Sequence, residues 1–145
     1  MPLLEHCNIR TLDLDATVAF YKEVIGLRIG PFPGQQGRGN WLYDDAGVPV
    51  IHLIAIERDN SETALAEIRE RLGELAGPTT LDAISGGGAV DHIAFRCEDY
   101  AATLARLEAR GLPYRTMDFA VANLRQLFVN DPSGVTLELN FREGD

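Results

Sequence analysis

Cysteine is scarce in this sequence. Of 145 residues only Cys7 and Cys97 are cysteine, which excludes the disulfide framework of a small secreted domain and agrees with a reducing compartment. Both fall in expected strands, where they read as small buried hydrophobes rather than catalytic thiols. Long apolar runs are missing too, since none approaches the roughly 20 residues that span a bilayer. The start, Met1-Pro2-Leu3-Leu4-Glu5-His6, has neither the charged nor the long apolar stretch of a secretory signal. A cytoplasmic location is expected. Basic residues are outnumbered, 13 against 22 acidic ones, for a net charge of −9 with no basic stripe. That excludes nucleic acid as a partner and makes an anionic membrane surface repulsive. A small-molecule substrate is the expected partner. The triple glycine Gly86-Gly87-Gly88 precedes a strand and lacks a following Lys-Ser/Thr, so it is a flexible approach rather than a phosphate loop.

What the chain does contain is a repeat. Glu5-His6-Cys7-Asn8-Ile9-Arg10 aligns with Asp91-His92-Ile93-Ala94-Phe95-Arg96 at a separation of 86 positions. The stretch Leu42 to Leu53 aligns with Phe128 to Leu139 at the same separation. Each half begins with an alternating strand, about 3–11 and 88–97. A helix follows, about 13–25 and 99–110, capped by Asp13 or Asp15 in one and Asp99 in the other. Gly26 and Gly111 sit where a left-handed helix stop is wanted. Leu14, Val18, Tyr21 and Ile25 form the expected apolar stripe of the first helix, and Ala101, Leu104, Ala105 and Leu107 that of the second. Strands at 27–32, 40–43 and 48–56 complete the first half. Strands at 112–117, 124–130 and 135–141 complete the second, with turns at Asp44–Gly47 and Asp131–Gly134. The predicted fold class is α+β, two tandem βαβββ modules at 1–58 and 89–145. Residues 59–88 hold a helical insert, Ser61–Leu75, capped by Ser61, with its apolar face on Ala64, Leu65, Ile68, Leu72 and Leu75, and ended by Gly77-Pro78.

The repeat makes the histidines informative. All three, His6, His52 and His92, occupy repeat-equivalent strand positions, and the fourth equivalent position holds Glu138. Strand alternation puts His6 with Asn8 and Arg10, and His92 with Ala94 and Arg96, on single faces. His6 to His52 and His92 to Glu138 both span 46 residues. Taken singly, each would be a surface or core residue. Together they are the imidazole and carboxylate donors expected for one divalent transition ion.

Four segments carry a resemblance to a known family. They are Leu4–Arg10, Ala19-Phe20-Tyr21-Lys22-Glu23-Val24-Ile25-Gly26-Leu27, Val90–Phe95 and Asn130–Leu139. They resemble the vicinal oxygen chelate superfamily, which includes glyoxalase I, methylmalonyl-CoA epimerase, fosfomycin-resistance transferases, extradiol dioxygenases and bleomycin-binding proteins. The resemblance implies paired βαβββ modules whose mixed sheets curl around a metal-bearing cleft, and often a homodimer. It places the metal ligands at His6, His52, His92 and Glu138. Such a set leaves an octahedral ion two positions for a substrate with adjacent oxygens. The metal, Zn, Ni, Mn, Co or Fe, stays open.

Three functions are compatible with these residues. The first is a lyase or isomerase working through an enediolate, with Glu138 either a ligand only or also the catalytic group that moves the proton. The second is a ring-cleaving dioxygenase with His6 or His92 and Glu138 in a two-histidine, one-carboxylate iron site. The third is a non-enzymatic drug-binding protein. Arg10 and Arg96, each four residues after its histidine, are candidates to clamp a substrate carboxylate. Arg10 matches an arginine that helps hold glutathione in glyoxalase I. His52 replaces a glutamate of the bacterial enzyme, and Ile56 stands where its companion asparagine belongs. Phe32, Trp41, Tyr43, Phe119 and Phe128 are candidate pocket walls or core.

Overall fold

Short alternating segments flanked by Gly, Pro and Asp turns build two four-stranded sheets in a computed structural model, which describes residues 1–77 and 79–142. In the first sheet β1 (Cys7–Thr11), β2 (Arg28–Ile29), β3 (Gly39–Tyr43) and β4 (Ile51–Ala55) run in the order β1-β4-β3-β2. β1 lies parallel to β4, and the other neighbours are antiparallel. β5 (Ile93–Arg96), β6 (Tyr114–Phe119), β7 (Leu124–Asn130) and β8 (Thr136–Arg142) repeat that pattern as β5-β8-β7-β6. Both sheets are mixed and open, and the class is α+β with the βαβββ order occurring twice.

The chain divides into two compact units, Met1–Ser85 and Gly86–Asp145. In the first, α1 (Leu14–Phe20) is capped by Asp13, whose carboxylate accepts from the Ala16 N–H at 3.0 Å. A π-helical turn over Tyr21–Ile25 carries the chain to Gly26 at φ 95°, the left-handed stop that glycine adopts without strain. In the second, α3 (Tyr100–Ala109) is capped by Asp99, which accepts from Ala102 N–H at 2.9 Å. The buried helix stripe differs from the expected one. It runs through Thr17, Phe20, Tyr21 and Val24 in the first unit and Thr103 and Leu107 in the second, whereas Ala101 and Ala105 are exposed. Threonine takes a core position because its hydroxyl is satisfied locally. Thr17 Oγ1 donates to the Asp13 carbonyl at 2.7 Å, and Thr103 Oγ1 accepts from Arg106.

The insert helix α2 (Ser61–Leu72) packs within the first unit, burying Ala64, Leu65 and Ile68 against Ile56 and Ile84. Its N-cap is Asn60 rather than Ser61, and Gly73 at φ 54° ends it. Of the expected Gly77-Pro78 stop, Pro78 lies outside the described residues. Arg69 anchors the segment that follows, donating from Nε to Thr79 Oγ1 at 2.7 Å and from Nη2 to the Thr79 carbonyl at 2.6 Å. No helix among the described residues is long and apolar enough to cross a membrane.

The 86-residue separation is not uniform. Asp44 and Asp131 each close their turn by accepting a backbone N–H on the carboxylate, from Val48 at 2.8 Å and Val135 at 2.9 Å. These mates are 87 apart, as are Gly47 and Gly134, both at φ 80°. Beyond the turns, Ile51 opposite Cys7 matches Leu137 opposite Ile93, and the separation returns to 86. The first unit takes up its extra residue at Pro49, around which Val50 N–H donates to the Val48 carbonyl at 2.9 Å. Proline has no N–H for a ladder, so the irregularity costs little there.

Candidate metal centre

β1 ends its ladder at Cys7 and β5 at Ile93, so His6 and His92 each stand one residue before their strand. His52 lies in β4, opposite Asn8 on one side and Trp41 on the other. Glu138 lies in β8, opposite Ala94 and Phe128. The repeat therefore brings the predicted donors together in pairs, one pair per unit.

In the first unit the His6 and His52 rings stack, with centroids 3.8 Å apart and planes 13° from parallel. Trp41 stacks on His52 at 4.2 Å and 12°. His52 is 8% exposed. Burial lowers its pKa, His6 lowers it further, and a hydrogen bond to the Pro49 backbone offsets part of this. Proline offers only a carbonyl, so the bond needs a ring N–H. The His52 Nε2 atom is buried with no hydrogen-bond partner. With Nδ1 as the donor to that carbonyl, Nε2 would carry the lone pair. A metal-ligating histidine commonly has this arrangement, its other nitrogen donating to a backbone carbonyl. Leaving such a nitrogen unsatisfied costs about 1–3 kcal/mol, a cost a cation at Nε2 removes.

In the second unit His92 Nε2 and Glu138 Oε2 lie 3.2 Å apart, the imidazole 36% and the carboxylate 14% exposed. Asp91 Oδ2 is 2.8 Å from His92 Nδ1. That hydrogen bond is the main cause of an upward shift in the His92 pKa, with Glu138 and Asp91 charge adding to it. Its repeat mate Glu5 has Oε1 3.5 Å from His6 Nδ1. An acid thus precedes each strand-mouth histidine and faces its Nδ1, which directs Nε2 toward a ligand role. Glu138 Oε1 accepts from Asn140 Nδ2 at 2.7 Å, and Asn140 Oδ1 accepts from Gln126 Nε2 at 2.9 Å. Phe128 presents an edge to His92 at 6.5 Å.

Among the described residues no group of three or more His, Cys, Asp or Glu side chains is disposed to hold an ion. Within each unit the donors nevertheless fit one. Imidazole nitrogen and carboxylate oxygen suit a divalent transition ion, His52 Nε2 is buried without a partner, and His92 Nε2 lies 3.2 Å from Glu138 Oε2.

The arginines separate. Arg10 is half-buried in β1 opposite Ile54, two places along from the His52 row. Arg96 is exposed opposite Asn140 and opens on a cavity of about 490 Å³ shared with Tyr100, Arg125, Phe141 and Arg142. There the Arg125 guanidinium sits 3.5 Å over the Tyr100 ring. Sequence reading named neither this cavity, which Glu98 and Asp99 also line, nor the stack of Trp41 on His52. The signal for the stack is the 87-residue separation of Trp41 and Phe128, the aromatics opposite His52 and Glu138. Ile56, only 2% exposed, packs under the insert helix, so no polar companion reaches the site from there. The Cys97 thiol is pushed up to about 11 by burial, which leaves it a poor nucleophile.

Comparison with known proteins gives a consistent picture. No curated protein matches the chain at a significant level. Solved structures share its fold at low identity. Lactoylglutathione lyase from Agrobacterium tumefaciens is 20% identical with a TM-score of 0.63, over 96% of this chain and 92% of that one. The fosfomycin resistance protein FosX from Listeria monocytogenes is 16% identical with a TM-score of 0.63, over 97% and 93%. TnmS3, an antibiotic binding protein from Streptomyces sp. CB03234, is 18% identical with a TM-score of 0.59, over 99% and 98%. The model of one family matches residues 3–139. The chain belongs to the Glyoxalase/Bleomycin resistance protein/Dioxygenase superfamily.

Proposed function

We propose that the chain is a divalent-metal-dependent lyase or isomerase acting on a small molecule that offers two adjacent oxygens. His6, His52, His92 and Glu138 are its metal donors. The observation that carries this reading is the buried, partnerless Nε2 of His52. The close approach of His92 Nε2 and Glu138 Oε2 supports it. So does a fold shared with lactoylglutathione lyase and FosX.

When bound, the ion supplies a Lewis acid that steadies negative charge developing on substrate oxygen. Glu138, the carboxylate of the set, accepts the proton that leaves the neighbouring carbon and returns it. Arg10, two places along β1 from the His52 row, is the residue placed to hold an anionic group of the substrate. Trp41 and Phe128 wall the donors with aromatic surface. A glutathione conjugate is disfavoured as substrate, since His52 and Ile56 replace the glutamate and asparagine that go with it.

Elemental analysis of protein purified without chelator tests this. One equivalent of a divalent ion is expected, and His52→Ala should lower the affinity at least tenfold. Protein that stays metal-free after exposure to zinc, nickel, manganese and ferrous iron contradicts the proposal. An iron centre that consumes oxygen with a catechol assigns the dioxygenase reaction instead.

A further inference from the structure

We propose that Gln126 and Asn140 are positioning residues, a two-amide relay that fixes the Glu138 carboxylate for a cation. This rests on the metal reading above. Asn140 Nδ2 donates to Glu138 Oε1 at 2.7 Å, and Glu138 Oε2 faces His92 Nε2 at 3.2 Å. One carboxylate oxygen is tied to an amide and the other is left toward the imidazole. Oε2, the oxygen the amide does not hold, is the one left for a cation beside His92. Asn140 is held in turn by Gln126, whose Nε2 donates to Asn140 Oδ1 at 2.9 Å.

The relay has a firm base. Gln126 is 7% exposed and stands directly opposite Asn140 in the β7–β8 ladder. An amide is suited to this task, because its carbonyl accepts from Gln126 while its NH₂ donates to the carboxylate. A free glutamate has three rotatable side-chain bonds and loses that freedom on ligating. The relay removes it beforehand.

The first unit provides an internal comparison. In the same register there, Gly39 stands opposite Ile54, and neither has a side-chain donor. The amide pair thus accompanies the carboxylate donor and is missing behind the imidazole donor. A pair that served only to hold a β-hairpin would have no reason to track the donor type.

The test is zinc affinity, measured on the full chain in competition with a chromophoric chelator. Four proteins are compared: wild type, Asn140→Val, Gln126→Met and the double variant. Valine suits a strand position and methionine matches glutamine in shape, so both should fold. Asn140→Val should weaken zinc binding about tenfold to a hundredfold. Gln126→Met should weaken it severalfold alone and not at all in the Asn140→Val background, because it acts through Asn140. Unchanged affinity in Asn140→Val, or the same loss from Gln126→Met in both backgrounds, overturns the relay. Wild-type protein that binds no zinc removes the metal reading and this inference with it. In metal-free protein, Gln126→Met should also shift the Asn140 side-chain amide resonances. Resonances that stay in place overturn the relay even if a variant folds poorly enough to spoil the titration.

Discussion

His52 shows how one residue can be strained for the fold and suited to a ligand. Its ring lies between His6 and Trp41, which removes water from both faces. That burial, with His6 beside it, lowers its pKa below 6.5. The unfolded chain then binds the proton more tightly than the folded one, so folding stability from this group rises with pH up to about 6.5 and is lost as pH falls below it. His92 works in the opposite sense. Its raised pKa favours the folded, protonated form below 6.5, an advantage lost as pH rises through the raised value. Comparing His52→Gln with wild type isolates the first effect. In metal-free protein, urea denaturation at pH 8 and pH 5 should show the variant gaining relative to wild type at pH 5. Parallel losses in both proteins would show that folding does not lower the His52 pKa. The pairing of His6 with His52 and of His92 with Glu138 was legible in the sequence because three histidines and a glutamate fall at matched positions of a repeat. The Trp41 stack was not. An aromatic in a strand has either a core or a site role, and only the register of β3 on β4 places it opposite His52.

At the scale of elements, helix starts were legible and their buried faces were not. Asp13 and Asp99 announce α1 and α3 because a carboxylate before an amphipathic stretch satisfies orphan N–H groups. The stripes were misplaced because two of the inward positions are Thr17 and Thr103, repeat mates that look polar in sequence but bury their methyls and satisfy their hydroxyls locally. β1, β2, β4 and β5 came out shorter than expected, while β6, β7 and β8 kept their expected lengths. Leu3 and Leu4 are apolar but exposed, outside the ladder, and Pro31 ends the ladder after Arg28–Ile29. These assignments make a quantitative comparison possible on one helix. Leu107 is fully buried, so Leu107→Ala should cost about 2–5 kcal/mol from lost transfer energy and the cavity left behind. Asp99→Ala, which removes the cap, should cost about 1 kcal/mol. Chemical denaturation measures both, and a cap loss as large as the core loss would contradict the burial assignment of α3.

Over the whole molecule, the duplication explains more than either half does. Each unit makes the same four-stranded order, with an acid before a strand-mouth histidine and an aromatic opposite His52 or Glu138. The halves have diverged where their donors differ. The first carries two imidazoles, an extra residue at Pro49 and a carbonyl on His52, and the second a carboxylate backed by two amides. The divergence has a consequence for stoichiometry. Two donors hold a transition ion weakly, whereas four of mixed type hold it well. If the four proposed donors serve a single ion, each variant that removes one donor must weaken the same binding event. Zinc titration of wild type should then give one equivalent per chain. Glu138→Ala and His52→Ala should each lower its affinity at least tenfold without leaving a second, unaffected equivalent. Thermal melts provide the independent check. The rise in Tm with saturating zinc should shrink in both variants, because ligand stabilisation follows the ratio of free ligand to Kd. Two equivalents in wild type, with one lost in Glu138→Ala and the other retained, would mean that each half holds its own ion.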